Sequence, residues 1–219
     1  MTEPISPLPD QFRAVVFDMD GLLLDTEILW HRAEVELFRR RGTEFSWEDK
    51  MQVIGTSFAF TADYFADRLG LPREQGPGLV EEMLGLMHEH LREQVEGRPG
   101  AVELVERLRG RTRLGLASNS PRALVDTALA TARITDAFDT IVTSDDVMQP
   151  KPAPDLYLLA CERLGVAPQE ALALEDSASG VAAAKAAGLT CIAVPQFAET
   201  DVSAADRVIA SLEDLLAET

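Results

Sequence analysis

The sequence predicts an α/β protein: a doubly wound parallel-sheet (Rossmann-like) core with a small all-helical cap domain inserted after the first strand. Three observations carry that expectation. Through the second half of the chain, short apolar strands alternate with helical segments of about 10–15 residues, the pattern of βαβ units. Between residues 25 and 97 the alternation stops, and apolar residues recur at helical spacing instead. A single apolar strand, Val15-Val16-Phe17, precedes that stretch, so the helices interrupt a sheet already begun.

Residues 1–12 read as a loose, proline-bearing extension. They lack the basic patch and apolar core of a secretory signal. Val15, Val16 and Phe17 are β-branched or aromatic and read as a buried strand, ending in Asp18 and Asp20, with Gly21 permitting a sharp turn. Residues 28–41 carry Ile28, Leu29, Ala33, Val35, Leu37 and Phe38 at helical spacing. Helices over 58–69 and 79–95 follow, separated by Gly70-Leu71-Pro72 and Gly76-Pro77-Gly78. Gly97-Arg98-Pro99-Gly100 marks the return to alternation. The strand at 114–117 is followed by Ser120 as a helix N-cap and Pro121 at the first helical position. Next come a strand at 139–142, a helix over 154–164 closed by Gly165, and a strand at 171–174. An alanine-rich helix over 180–187, closed by Gly188, leads to a last strand at 190–194. The predicted boundaries are therefore an extension at 1–12, a core formed by 13–24 and 98–219, and a cap at 25–97, hinged near 22–26 and 97–100.

Charge narrows the function. Twenty basic residues face 37 acidic ones, a formal net charge of −17 in 219 residues. That argues against nucleic-acid binding, which needs a basic footprint, and against docking on anionic lipid. An anionic substrate would then require a local reversal of sign, from a bound divalent cation and a nearby lysine. Cys161 and Cys191 have neither metal-like nor redox-like spacing and read as small core residues in a reducing compartment. No run approaches the ~18 apolar residues of a spanning helix, so a cytoplasmic protein without membrane contact is expected. Nothing in the sequence sets the oligomeric state, and a monomer is the default.

Chemistry concentrates at the predicted strand ends. In an open α/β sheet, ligands sit outside the carboxyl ends of the strands. Asp18 and Asp20 lie there, and two acids so placed suit a magnesium ion and a nucleophile; a lone pair of this kind is as often a polar turn. Ser118-Asn119 follows the 114–117 strand, Lys151 the 139–142 strand, and Glu175-Asp176 the 171–174 strand. Taken singly, Ser118 and Asn119 read equally as turn residues, Lys151 as a solvated charge, and Glu175, Asp176 and Ser177 as a helix cap. Four such sites at the carboxyl ends of one sheet supply what phosphoryl transfer needs: an in-line nucleophile, a cation, and positioned donors.

The segments FDMDGLLLDTE, LASNS, KPAPD and LEDSASG, in this order across residues 13–195, resemble the haloacid dehalogenase-like hydrolase superfamily. The match is to its phosphatase and β-phosphoglucomutase branch, with a helical cap. That resemblance implies Asp18 as nucleophile, Asp20 as acid/base, and Ser118 and Lys151 as phosphate ligands. Asn119 would donate to the phosphate or a neighbouring substrate oxygen. Mg2+ would be held by the Asp18 side chain, the Asp20 carbonyl and Asp176, with Glu175 at or just outside that set. The implied activity is hydrolysis of a small phosphorylated metabolite.

Three rival functions fit the motifs less well. A phosphoaspartate receiver domain does not need a helical insertion of about 70 residues, which serves as a lid. A haloalkanoic acid dehalogenase has no use for Asp20 or the Glu175-Asp176 pair. A sugar phosphomutase must anchor a second phosphate, and the family's mutases carry an arginine after Gly55-Thr56-Ser57 where this chain has Phe58. Arg68 and Arg92 are the candidates for compensation. Asp25 reads as a hinge salt-bridge partner or a contact to the site, and His31 as either a cleft or a helix-surface residue.

Overall fold

The computed structural model describes residues 11–216. Most of the expected extension lies outside the described residues. Phe12, at its end, is buried, so the packed core begins there. The chain divides into two compact units, Met1–Asp25 with Glu96–Thr219, and Thr26–Val95.

The first unit is built on six parallel strands: β1 (Ala14–Phe17), β2 (Arg113–Ser118), β3 (Thr140–Thr143), β4 (Ala171–Glu175), β5 (Thr190–Ala193) and β6 (Arg207–Val208). Their order is β3-β2-β1-β4-β5-β6. The chain steps outward from β1 to β3, then returns to the other side of β1 with β4. This is the doubly wound α/β core that the sequence predicts. Every residue of β1 and β4 is buried, because helices cover both faces of a parallel sheet and its strands become continuous apolar runs. The sequence pattern missed β6, which is only two residues long and carries no periodicity.

The second unit is helical: α1 (Glu27–Arg39), α2 (Trp47–Val53), α3 (Phe58–Leu69) and α4 (Gly76–Glu93). Its core includes Phe38, Phe45 and Phe65, with ring centroids 4.8, 5.2 and 5.8 Å apart. The short α2 lies where the sequence pattern predicts no helix. It starts at a capping box in which Ser46 and Asp49 each accept the other's backbone N–H. Asp49 is also gripped by Arg68, through Nε at 2.6 Å and Nη2 at 2.8 Å. These bonds hold the Asp49 carboxyl well below the usual carboxylate range. Behind α2, the buried Lys50 ammonium lies 3.0 Å from Glu27 and 3.2 Å from the buried Glu34. His31 packs edge-on to Trp47 and lies 3.8 Å from Glu34.

The remaining helices belong to the first unit: α5 (Ala101–Leu108), α6 (Arg122–Ala132), α7 (Asp155–Leu164), α8 (Ala178–Ala187) and the short α9 (Glu213–Leu216). Left-handed Gly165 and Gly188 close α7 and α8, as their sequence positions predict. The two connections to the helical segment pair with each other: Leu24 bridges Gly97, and Asp25 N–H donates to the Glu96 carbonyl at 2.9 Å. Asp25 accepts from Gln196 and lies 3.9 Å from Arg98. Both cysteines are buried core residues, and burial pushes their thiols up, Cys161 to about 11 and Cys191 to about 12. Among the described residues, no helix is long and apolar enough to cross a membrane.

Candidate active site

Strand order reverses between β1 and β4, and a crevice at the carboxyl ends of such strands is where open α/β sheets bind ligands. Asp18 follows β1 directly, its backbone N–H donating to Leu174 of β4 at 3.0 Å. Glu175 is the last residue of β4 and Ser118 the last of β2. Lys151 comes in from the loop after β3, where the Lys151-Pro152 peptide is cis. Its Nζ donates to Asp18 Oδ1 at 2.6 Å, Glu175 Oε1 at 2.5 Å and the Ala117 carbonyl at 2.8 Å. All three ammonium donors are thus in use, and the side chain is 3% exposed. The surface-charge reading of Lys151 is thereby excluded.

Glu175 is a hub of acceptors. Oε1 takes the Lys151 ammonium and the Tyr157 hydroxyl at 2.8 Å. Oε2 takes the backbone N–H groups of Asp176 at 3.0 Å and Ser177 at 3.3 Å, with the Ser177 hydroxyl at 3.1 Å. Its carboxylate fits because residue 180 is glycine: a Cβ there would lie 1.8 Å from Oε1. Ser177 also caps α8, accepting from Gly180 N–H, so cap and site share one loop.

Asp20 is held by two hydroxyls on one oxygen. Ser120 Oγ donates to Oδ2 at 2.8 Å and Ser118 Oγ at 3.2 Å, while Ser120 N–H donates back to Ser118 Oγ at 3.0 Å. The expected capping role of Ser120 is therefore corrected. Pro121 occupies the N-cap position, and the Ser120 hydroxyl is turned to Asp20. Asn119 clamps the Lys151 backbone, donating to its carbonyl at 3.2 Å and accepting its N–H at 2.9 Å. One N–H of its amide is left for another acceptor.

The electrostatics follow from burial and charge count. Burial pushes the Asp18 carboxyl up, to about 8, against the pull of Lys151, and Glu175 and Asp20 add to the rise. Burial opposes the Lys151 ammonium as well, but Asp18 and Glu175 outweigh it and hold it above the ordinary lysine range. Burial beside Glu175 and Asp18 raises the Tyr157 hydroxyl far above its usual value. Carboxylate oxygens of Asp18, Glu175 and Asp176 all lie within 4.8 Å of one another. Gly21 allows the first loop to approach them: its φ is +82°, and a Cβ there would fall 2.3 Å from Asp176 Oδ2. A hard, all-oxygen, negatively charged donor set of this size suits Mg2+. The five donors on Glu175 make it the least available of the three.

The structure thus brings together the residues singled out at the strand ends: Asp18, Asp20, Ser118, Asn119, Lys151, Glu175 and Asp176. Sequence reasoning missed Tyr157 and Gly180 and misread Ser120. Tyr157 lies on the apolar stripe of α7 with Leu156, Ala160 and Cys161, and a polar tip on a buried face was the available signal.

A family model described as haloacid dehalogenase-like hydrolase matches residues 15–194. Hexitol phosphatase B of Escherichia coli is 33% identical over 218 residues, covering 95% of this chain and 98% of that protein. A phosphorylated carbohydrates phosphatase of Thermotoga maritima is 32% identical, covering 80% of this chain and 82% of that protein. The crystal structure of CbbY from Rhodobacter sphaeroides in complex with phosphate superposes with a TM-score of 0.82 at 29% identity, covering 93% of this chain and 96% of that one. With the four motifs gathered around one crevice, this chain belongs to the haloacid dehalogenase-like hydrolases and is a phosphomonoester hydrolase.

Proposed function

We propose that the chain hydrolyses a sugar- or polyol-class phosphate monoester by two successive displacements at phosphorus, with Asp18 as the covalent carrier. An Asp18 oxygen forms a bond to phosphorus as the ester P–O bond breaks, and the departing alkoxide takes the proton of Asp20. Water then attacks the aspartyl-phosphate, giving its proton to Asp20, and the bond to Asp18 breaks to release phosphate. Ser118 and Ser120 both donate to Asp20 Oδ2 and hold its carboxyl in place for the two proton transfers. Lys151, lodged between Asp18 and Glu175, holds the transferring group, and Asn119 fixes the Lys151 loop. Asp18, Asp176 and the Asp20 carbonyl would hold Mg2+, with Glu175 outside that set. When bound, the ion offsets charge on the phosphoryl oxygens.

The observation that carries this reading is the 2.6 Å contact between the Lys151 ammonium and Asp18 Oδ1 in a buried site. There the nucleophile and its phosphate donor share one position. Hydrolysis is favoured over phosphate return to a bound sugar. Phe58 occupies the position where the resemblance places a mutase arginine, its ring 6.2 Å from that of Trp30. Arg68, a candidate substitute, is committed bidentately to Asp49. The substrate class rests on the relatives named for hexitol and carbohydrate phosphates.

The test is a panel of phosphate monoesters assayed with Mg2+ for wild type and Asp18→Asn, alongside beryllium fluoride inhibition. Turnover falling by several orders of magnitude, with inhibition lost in the variant, is expected. More than about one per cent residual activity would end the covalent mechanism. Glucose 6-phosphate appearing faster than inorganic phosphate from β-glucose 1-phosphate with catalytic glucose 1,6-bisphosphate would overturn hydrolysis.

A further inference from the structure

The amino ends of the strands carry a concentration of charge opposite in sign to the rest of the chain. A cleft of about 690 Å³ opens there. Arg13 lines it just ahead of β1, Arg109, Arg111 and Arg113 surround the turn into β2, and Asp136 and Asp139 precede β3. Four arginines against two aspartates leave the lining net positive, in a chain of formal charge −17. At physiological ionic strength the Debye length is about 8 Å, so the distant acidic excess is largely screened from it.

The backbone contacts that orient Arg109 and Arg113 do not neutralise them. Arg109 Nη2 donates to the backbone carbonyl of Asp136 at 2.9 Å. Arg113 Nη1 donates to the backbone carbonyls of Leu164 and Gly165. A carbonyl orients a guanidinium while leaving its charge whole. Asp139 spends a carboxylate oxygen on Leu114 N–H at 2.8 Å. Arg111 has no side-chain partner among the described residues. The carboxylates that reach the cluster from outside do so in exposed pairs, Arg13 with Glu170 at 3.1 Å and Arg109 with Glu106 at 3.6 Å. Such pairs have little strength and yield readily to a better acceptor.

We propose that this cleft binds a multiply charged phosphate anion, free or carried on a small metabolite. It is a site separate from the catalytic crevice at the opposite ends of β1 and β2. Guanidinium forks match phosphate oxygens two at a time. Heads arriving from β1 and from both sides of the β2 turn suit an anion with oxygens in several directions better than a single planar carboxylate. A volume of this order accommodates a small phosphorylated molecule.

The test titrates tripolyphosphate into the full-length protein in EDTA and 0.15 M salt, reading backbone amide NMR shifts residue by residue. Saturable shifts at residues 109–114 and 136–139 are expected, weakened at least tenfold in Arg109→Ser/Arg111→Ser. Turnover of 4-nitrophenyl phosphate by that variant, measured with Mg2+, should stay within twofold of wild type. Arg111→Ser alone supplies the answer if the double variant fails to fold, because Arg111 has no side-chain partner to lose among the described residues. Absent or non-saturating shifts at these amides, or shifts unchanged by the substitutions, would overturn the site. Citrate binding as tightly as tripolyphosphate would overturn the assignment to phosphate.

Discussion

Replacing Glu175 with glutamine keeps the shape of the side chain and removes its capacity to accept at both ends, which makes Glu175→Gln a sharp test of the hub. The amide has one acceptor end and one donor end. If its NH2 faces Asp176 and Ser177, two backbone N–H groups at 3.0 and 3.3 Å lose their acceptor. Each buried donor left so costs about 1–3 kcal/mol. If the NH2 faces the other way, Tyr157 can rotate its hydroxyl to accept, and the Lys151 bond at 2.5 Å is what is lost. One charge-assisted bond is worth about 1.5–3 kcal/mol, so the second orientation wins. Stability should fall by that amount, lowering the melting temperature by roughly 3–12 °C at 2–4 °C per kcal/mol for a chain of this size. With Lys151 left on Asp18 and the Ala117 carbonyl, turnover should fall about 10- to 150-fold, the same energy read as a rate. Thermal unfolding and steady-state assays with 4-nitrophenyl phosphate measure both. The Mg2+ concentration for half-activity should move less than in Asp176→Ala. Wild-type melting and turnover in Glu175→Gln would refute the hub, and a larger metal defect than in Asp176→Ala would return Glu175 to the metal.

Ser120→Ala removes the shorter hydroxyl bond to Asp20, 2.8 Å against 3.2 Å from Ser118; kcat should drop about tenfold or more with little change in melting temperature, and unchanged kcat would reduce Ser120 to a loop residue. Asp20→Asn keeps its backbone carbonyl, so proton transfer should slow by about 10²–10⁴-fold while Mg2+ binding by calorimetry persists, and equal metal loss in Asp20→Asn and Asp176→Ala would break that division of labour. Lys50→Met strands Glu27 and Glu34, at a cost of about 3–5 kcal/mol for an uncompensated buried charge. Burial pushes Glu34 up to about 7, with Lys50 pulling against it. Because that value lies above the ordinary 4.5, the stability Glu34 contributes is complete below pH 4.5 and lost as pH rises through 7. The Lys50→Met deficit in urea unfolding should therefore be smaller at pH 5 than at pH 8, and a pH-independent deficit would contradict the assignment.

The parts of the fold legible in the sequence are those that rest on local chemistry. β1 and β4 are continuous apolar runs, and Gly165 and Gly188 stop α7 and α8 where only a left-handed residue serves. The parts that were not legible depend on partners remote in sequence. The two-residue β6 exists because β5 offers it an edge, and α2 is defined by the Ser46–Asp49 cap together with Arg68. In the site, residue types at strand ends located Asp18, Asp20, Ser118, Lys151, Glu175 and Asp176. Ser120 was misread because a serine before a proline satisfies a capping rule equally well, and only the position of Asp20, a hundred residues earlier, decides where its hydroxyl goes. Gly180 looked like a residue inside an alanine-rich helix; its reason is the carboxylate of Glu175 against its Cα.

That carboxylate also bears on how an acidic chain accepts an anionic ester. Around the crevice, Asp18, Glu175 and Asp176 face the single ammonium of Lys151, and two of the three consume its donors or flank them. The Asp18 carboxyl is raised chiefly by its burial, against the pull of Lys151, with Glu175 and Asp20 adding to the rise. Lys151 therefore cannot reverse the sign at the crevice unaided, because its charge is already answered from within the protein. In the proposed mechanism it fixes Asp18, with Glu175 as its rigid backing, and an arriving phosphoryl group would replace Asp18 Oδ1 as its partner and free that oxygen to attack. In the same proposal the surplus charge would be offset by a cation held by Asp18 and Asp176. The Arg109–Arg113 cleft is a different arrangement: Arg109 and Arg113 donate to neutral carbonyls, and the carboxylates that reach Arg13 and Arg109 do so in exposed pairs. The mean charge of −17 therefore describes neither place. What separates the two is that the carboxylates on Lys151 are buried with it, whereas those on Arg13 and Arg109 are exposed to solvent and weakly held.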